Sequence, residues 1–177
     1  MAEQEPRTPI EVTVEIPSGS RNKYEYDHRR RRFVLDRVLY SSVHYPCDYG
    51  FIEGSLAEDG DPLDVLVVIS EPTFAGCVVR ARPVGVLDMA DEKGHDYKIL
   101  AVAHDDPRWE EAAELEDLSP HRLREIVNFF ETYKTLEKRQ TDVRGWLGVD
   151  DAWRIIDEAA ANGREPSEGT PEPGTWR

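Results

Sequence analysis

The feature that most restricts how this chain can fold is a change of hydrophobic period about two-thirds of the way along it. In VTVEI, Val12, Val14 and Ile16 alternate with Thr13 and Glu15. In NKYEYD, Lys23 and Glu25 share one face while Tyr24 and Tyr26 share the other. Successive strand side chains point to opposite sides, so this period of two predicts β-strands. Further strand-like runs cover 32–39, 65–69, 77–88 and 97–103. Several short strands with turn residues between them predict a mainly β fold built on a small closed or half-closed barrel.

The last third changes to the helical period. Asp106-Pro107 and Ser119-Pro120 each place a capping residue before a proline suited to the first helical position. After Ser119-Pro120, Leu123, Ile126, Val127 and Phe130 recur at helical spacing within HRLREIVNFFETYKTLEK. Asp150 or Asp151 is expected to cap a final helix carrying Trp153, Ile156 and Ala160, with Gly163 as its stop. The 177 residues suit one domain, expected over 11–163. Residues 1–10, with Pro6 and Pro9, read as a flexible arm, and 164–177 as a disordered acidic tail rich in Pro and Gly.

Charge removes several function classes. Asp and Glu number 36 against 22 Lys and Arg, a net charge of −14 that repels nucleic acid and anionic membranes. The one basic cluster, Arg29 to Arg32, reads as a solvated turn or strand edge. No apolar run reaches membrane length and no leader pattern opens the chain, so a cytoplasmic protein is expected. Cys47 and Cys77 are too few for a disulfide framework or a cysteine zinc site and read as small core residues. Phosphate-loop, dinucleotide, HExxH and GxSxG patterns are all missing.

Chemistry concentrates in two acidic turns. Asp59-Gly60-Asp61-Pro62-Leu63-Asp64 runs straight into the apolar VLVVI. Three carboxylates in six residues repel one another unless cations neutralise them, and carboxylate oxygens are the natural ligands of Mg²⁺. Asp-Gly and Asp-Pro are also ordinary turn dipeptides, so the motif alone fits a plain acidic turn equally well. A calcium EF-hand loop is excluded, because Asp64 stands at its glycine position and Ser70 at its closing glutamate. The second turn runs from Asp91 through His95 to Asp96 and Lys98, with the last two on one strand face. Lys23, Arg37, Tyr49, Lys98, Tyr133 and Lys134 are dispersed cations and phenols that gain a role only if they converge on those turns.

Taken together these segments resemble family I soluble inorganic pyrophosphatase, bacterial type. The resemblance rests on EIPSGSRNKYEYD at 15–27, LDRVLYSSVHYPCDYGFIEGSL at 35–56 and DGDPLDVLV at 59–67. It continues through RPVGVLDMADEKGHDYKILAV at 82–102 and FFETYKTLEK at 129–138. It implies an OB-like five-stranded β-barrel with flanking helices, a homohexamer, and several Mg²⁺ per active site. It further implies Asp59, Asp64 and Asp96 as ligands of a first metal, with Asp64 shared by a second. Asp91 and Asp96 would hold a metal arriving with substrate, and Glu15 and Glu25 would be outer metal-site carboxylates. Lys23, Arg37, Tyr49, Lys98, Tyr133 and Lys134 would hold phosphate. Asp61 would accept the attacking water's proton, a role given in some relatives to Asp96.

The Arg29–Arg32 run, the extensions at 1–10 and 164–177, and a lysine-poor RQTDVRGWLG at 139–148 depart from that pattern without removing a site residue. Two other readings remain: a non-catalytic metal-dependent phosphate or nucleotide binder on the same barrel, which Asp61 disfavours, and an OB-type nucleic-acid module, which needs a basic aromatic face.

Overall fold

A computed structural model describes residues 7–91 and 94–164. Nine strands are described: β1 (Ile10–Ile16), β2 (Asn22–Asp27), β3 (Arg32–Val38), β4 (Asp48–Phe51), β5 (Asp64–Val68), β6 (Val78–Asp91), β7 (Gly94–His95), β8 (Lys98–Ala103) and β9 (Asp142–Leu147). Five of them form a ring in the order β1-β4-β5-β8-β6, closed by β6 pairing back onto β1 from Ala81↔Ile10 to Val78↔Thr13. The expected OB-like barrel is therefore present, though it is an uneven one. Every pairing in the ring is antiparallel except β5 with β8. The 14-residue β6 is bent by register shifts at Pro83/Gly85 and Asp88/Met89, which let it serve β1, β8, β7 and β9 in turn. The β2–β3 hairpin stands apart as a two-stranded sheet.

Burial follows the sequence pattern. Val12, Val14 and Ile16 are fully buried along β1, whereas β8 is buried at all six positions because both its faces are covered. Leu100 and Val102 join the cluster that receives helix α1 (Pro120–Thr132) through Ile126, Phe129 and Phe130. Ile99, Ala101 and Ala103 join the cluster covered by α2 (Val149–Arg164) through Ala152, Ile155 and Ala159. The two helices thus pin the two sides of one sheet. Neither is long and apolar enough to cross a membrane.

Several boundaries differ from expectation. Helix α1 stops at Thr132, and the rest of the expected helical run becomes a 3-10 turn, Thr135–Glu137, ended by Lys138 at φ 58°. Ser119 precedes α1, but its side chain makes no capping bond. Gly163 does not stop α2; it lies inside it, because a Cβ there would sit 1.9 Å from the Gly54 carbonyl oxygen. Asp150 and Asp151 lie within the first turn of α2, where their charge favours the helix dipole. Strands β4, β7 and β9 are additional to those expected. Ile10 already belongs to β1, and Arg7 spans to α2 with two bonds to Asp157 of 2.8 and 2.9 Å while stacking on Trp153. The tail at 165–177 lies outside the described residues. Both cysteines are free. Cys47 is buried, which pushes its thiol up to about 12, and Cys77 is only partly covered.

Gly50 explains the tight β1–β4 seam. A Cβ at Gly50 would meet the Thr13 carbonyl oxygen at 2.1 Å, a backbone atom that cannot move without breaking the pairing. Gly50→Ala is expected to destabilise by roughly 1–3 kcal/mol, lowering the melting temperature by roughly 2–4 °C for each kcal/mol. A calorimetric scan that leaves the transition unmoved would show that the seam can relax.

Candidate active site

A cleft of about 360 Å³ opens over one end of the ring. Its first wall is the acidic turn. Asp59 Oδ1 accepts the Asp61 N–H at 3.1 Å, Gly60 takes φ 88°, and the Asp61 carbonyl accepts the Ala57 N–H at 2.8 Å. Leu63 then plugs the core at 1% exposure, its N–H held by Ser55 Oγ at 2.9 Å. Apolar Leu63 therefore anchors the loop, while Asp59, Asp61 and Asp64 line the cleft. The Asp61 carboxylate has no side-chain hydrogen bond or ion pair among the described residues, so its oxygens are available to a proton or a ligand.

The second wall comes from strand register. Parallel β5–β8 pairing sets Asp64 beside Lys98. Lys98 Nζ lies 2.5 Å from Asp64 Oδ2 and 2.5 Å from Asp96 Oδ1, and the residue is only 4% exposed. Burial alone would lower its proton affinity. Asp64 and Asp96 outweigh that and raise it, so the ammonium stays charged. Tyr49 and Tyr133 flank this lysine, and burial first pushes their phenols upward, helped by the nearby carboxylates and opposed at Tyr133 by Lys98. They remain O–H donors at neutral pH. Lys134 sits 4.0 Å from Asp91 on the same rim, and burial, reinforced by Lys98, lowers its proton affinity.

The third wall is β1 and the β2–β3 hairpin. Glu15 Oε1 accepts the Tyr26 N–H at 2.7 Å. Lys23 bonds Glu25 and lies 3.5 Å from Asp36. The structure thus brings Glu15, Glu25, Asp59, Asp61, Asp64, Asp91 and Asp96 into one cleft with Lys23, Lys98 and Lys134. Arg37 alone of the expected residues does not line it. Its guanidinium is held by Glu137 at 2.5 and 3.1 Å and by Asp36. Glu137 went unnoticed in the sequence, since a clamp spanning 100 residues leaves no local signal, and Asp36, adjacent to Arg37, was passed over. His28 also lines the cleft unforeseen, packed on Tyr26 and Phe51.

Seven carboxyl groups against three lysines leave this cleft strongly anionic. Asp59 and Asp96 show the strain: burial raises the proton affinity of both, and neighbouring carboxylates add to it. Glu15 is pushed up to about 7, chiefly by burial with Asp64 and Glu25 adding, against the Tyr26 N–H and Lys23. Oxygen-only donors crowded in this way fit hard divalent cations. Among the described residues no three Asp, Glu, His or Cys side chains already converge into a cage; Lys98 lies between Asp64 and Asp96.

The raised Glu15 has a testable sign. Between its ordinary value of 4.5 and about 7 the folded chain holds a proton that the unfolded chain releases. That stabilisation is complete at low pH and is lost as pH rises through about 7. In metal-free protein the melting temperature is expected to drop across this window, and Glu15→Gln to flatten the drop. Identical profiles for parent and variant would show that Glu15 is not the group responsible.

An open cleft that gathers seven carboxyl groups beside the buried Lys98, the partly buried Lys23 and Lys134 and two buried phenols has the donors that suit a phosphate-handling enzyme. The family model for inorganic pyrophosphatase matches residues 12–164. The inorganic pyrophosphatase of Methanosarcina acetivorans is 55% identical over 148 residues, covering 84% of this chain and 88% of that protein. That of Nostoc sp. is 53% identical over 150 residues, covering 85% and 89%. The crystal structure of inorganic pyrophosphatase from Thermus thermophilus superposes with a TM-score of 0.87 at 40% identity, covering 93% of this chain and 96% of that one. The chain belongs to the inorganic pyrophosphatase family, as an enzyme of its family I, bacterial type.

Proposed function

We propose that this enzyme hydrolyses pyrophosphate, taken up as its magnesium complex, to two phosphates. The observation that carries this reading is the charge balance of the cleft, seven carboxyl groups beside three lysines, with Lys98 bonded to both Asp64 and Asp96. Asp59, Asp64 and Asp96 would hold Mg²⁺, Asp91 with Asp96 a further ion, and Glu15 and Glu25 outer positions. When bound, the ions lower the pKa of water and offset the substrate's charge.

The chain's own groups do the rest. Lys23, Lys98 and Lys134, with the Tyr49 and Tyr133 hydroxyls, orient phosphoryl oxygens and meet charge that develops on the leaving phosphate. Arg37, tied to Glu137 and Asp36, would join them only by turning from that clamp. Asp61, exposed and unpaired, accepts the proton of the attacking water. A homohexamer in the cytoplasm, with the catalytic domain over 11–163, completes the reading.

Product stoichiometry tests it. With Mg²⁺, the purified chain is expected to release two phosphates for each pyrophosphate consumed. Binding of magnesium pyrophosphate with no phosphate release would instead make the chain a non-catalytic binder.

A further inference from the structure

The tip of the β2–β3 hairpin carries Arg29, Arg30, Arg31 and Arg32, all exposed, in a chain of net charge −14. Elsewhere on the surface Arg7, Arg80, Arg144 and Arg154 each face a carboxylate, while Arg21, Arg124 and Arg139 are exposed with no ion pair among the described residues, but none of these stands in a run of four. At this tip Arg30 lies 3.6 Å from Asp27, whose side chain also accepts the Arg30 N–H and so shapes the turn, and the charge of Arg29 acts on the same carboxylate. Arg29, Arg31 and Arg32 make no side-chain ion pair among the described residues. Arg31 moreover takes φ 52°, where glycine is at ease and an L side chain costs roughly 1–2 kcal/mol. An arginine held there against its backbone preference points to a use for the side chain.

The position of the tip supplies that use. The preceding residue, His28, lines the active-site cleft, as do Tyr26, Glu25 and Lys23 of β2. The cleft itself is anionic, so an incoming condensed phosphate is repelled until it reaches Lys23, Lys98 and Lys134. We propose that the Arg29–Arg32 turn is an anion-capture lip, which draws magnesium pyrophosphate from solvent to the mouth of the cleft. The lip rests on pyrophosphate being the substrate, and acts before any contact with the reacting groups. Its field reaches about 8 Å at physiological salt and about 30 Å at 0.01 M ionic strength, and fields of this kind raise local anion concentration and association rates by about 10–10³.

The test compares two triple variants of the full-length enzyme. One is Arg29→Ser, Arg31→Gly and Arg32→Ser, which keeps Arg30 for Asp27 and gives φ 52° a glycine. The other, Arg80→Ser, Arg108→Ser and Arg124→Ser, removes the same charge from positions that do not line the cleft. At low ionic strength the lip variant is expected to lose roughly tenfold in kcat/KM for magnesium pyrophosphate. Its kcat should stay within twofold, and its kcat/KM should converge on the parent's as salt rises. The distant variant should lose much less. Equal losses in the two variants, or a lip deficit that persists unchanged at high salt, overturn the proposal. A lip variant that melts no lower than the parent excludes misfolding as the cause, and Arg29→Glu in place of Arg29→Ser within that variant should deepen the effect. A parent that released no phosphate would instead overturn the substrate reading on which the lip depends.

Discussion

Asp64→Asn is expected to lower turnover by roughly 10³-fold, the scale of losing one fixed polar group aimed at the reacting centre, and to weaken Mg²⁺ binding at the same time. The substitution keeps the side chain's size at the start of β5 but removes the charge that faces Lys98 Nζ at 2.5 Å. Two consequences follow from one atom exchange. Any cation placed between Asp59, Asp64 and Asp96 loses a full negative charge, and Lys98, 4% exposed, keeps only Asp96 as an anionic partner at bonding distance. A buried ammonium with half its compensation is costly. The variant should therefore also melt earlier without metal. Calorimetric Mg²⁺ titration of the folded variant is the check, and an affinity equal to the parent's would mean that Asp64 is not a ligand.

Asp61→Asn should lower turnover by roughly 10²–10⁴-fold while sparing the first metal. Asp61 differs from its neighbours in being exposed and unpaired: its backbone is fixed by Asp59 and Ala57, but its carboxylate is not. Asparagine preserves that turn and one acceptor oxygen, yet cannot take a proton. With the base gone, hydroxide must come from solution, so the pH optimum should move upward. The variant should still bind magnesium pyrophosphate, since Asp59, Asp64 and Asp96 remain. Turnover within a few-fold of the parent at neutral pH would place the base elsewhere, with Asp96 next to be tested.

What could be read in the sequence was what short-range chemistry enforces. Alternation along β1 was visible because one face is buried and the other is not, whereas β2 alternates in sequence without a buried face and turns Lys23, Tyr24, Glu25 and Tyr26 alike to the cleft. The turn from Asp59 to Asp64 was visible because three acids so close need a reason. Asp96 and Lys98, two apart, were seen on one side, and their side chains do bond. Long-range register was not visible. The insertion of Lys98 between Asp64 and Asp96 depends on parallel pairing of β5 with β8, which no local pattern encodes. Strand β4 has only four residues, too few for a period, and β9 is interrupted by Gly145 at φ 127°. Gly163 was misread as a helix stop because a glycine that admits the Gly54 backbone looks, in sequence, like one that ends a helix. Arg37 resembles a phosphate ligand, but only the fold reveals Glu137 holding it.

The most direct test of the central claim is the initial rate of phosphate release from pyrophosphate in metal-stripped protein as Mg²⁺ is added back. If the seven carboxyl groups of the cleft hold more than one cation, as proposed, there is no release in chelator and the rate rises more steeply than a single-site curve. A rate in chelator equal to that in excess Mg²⁺ would contradict it.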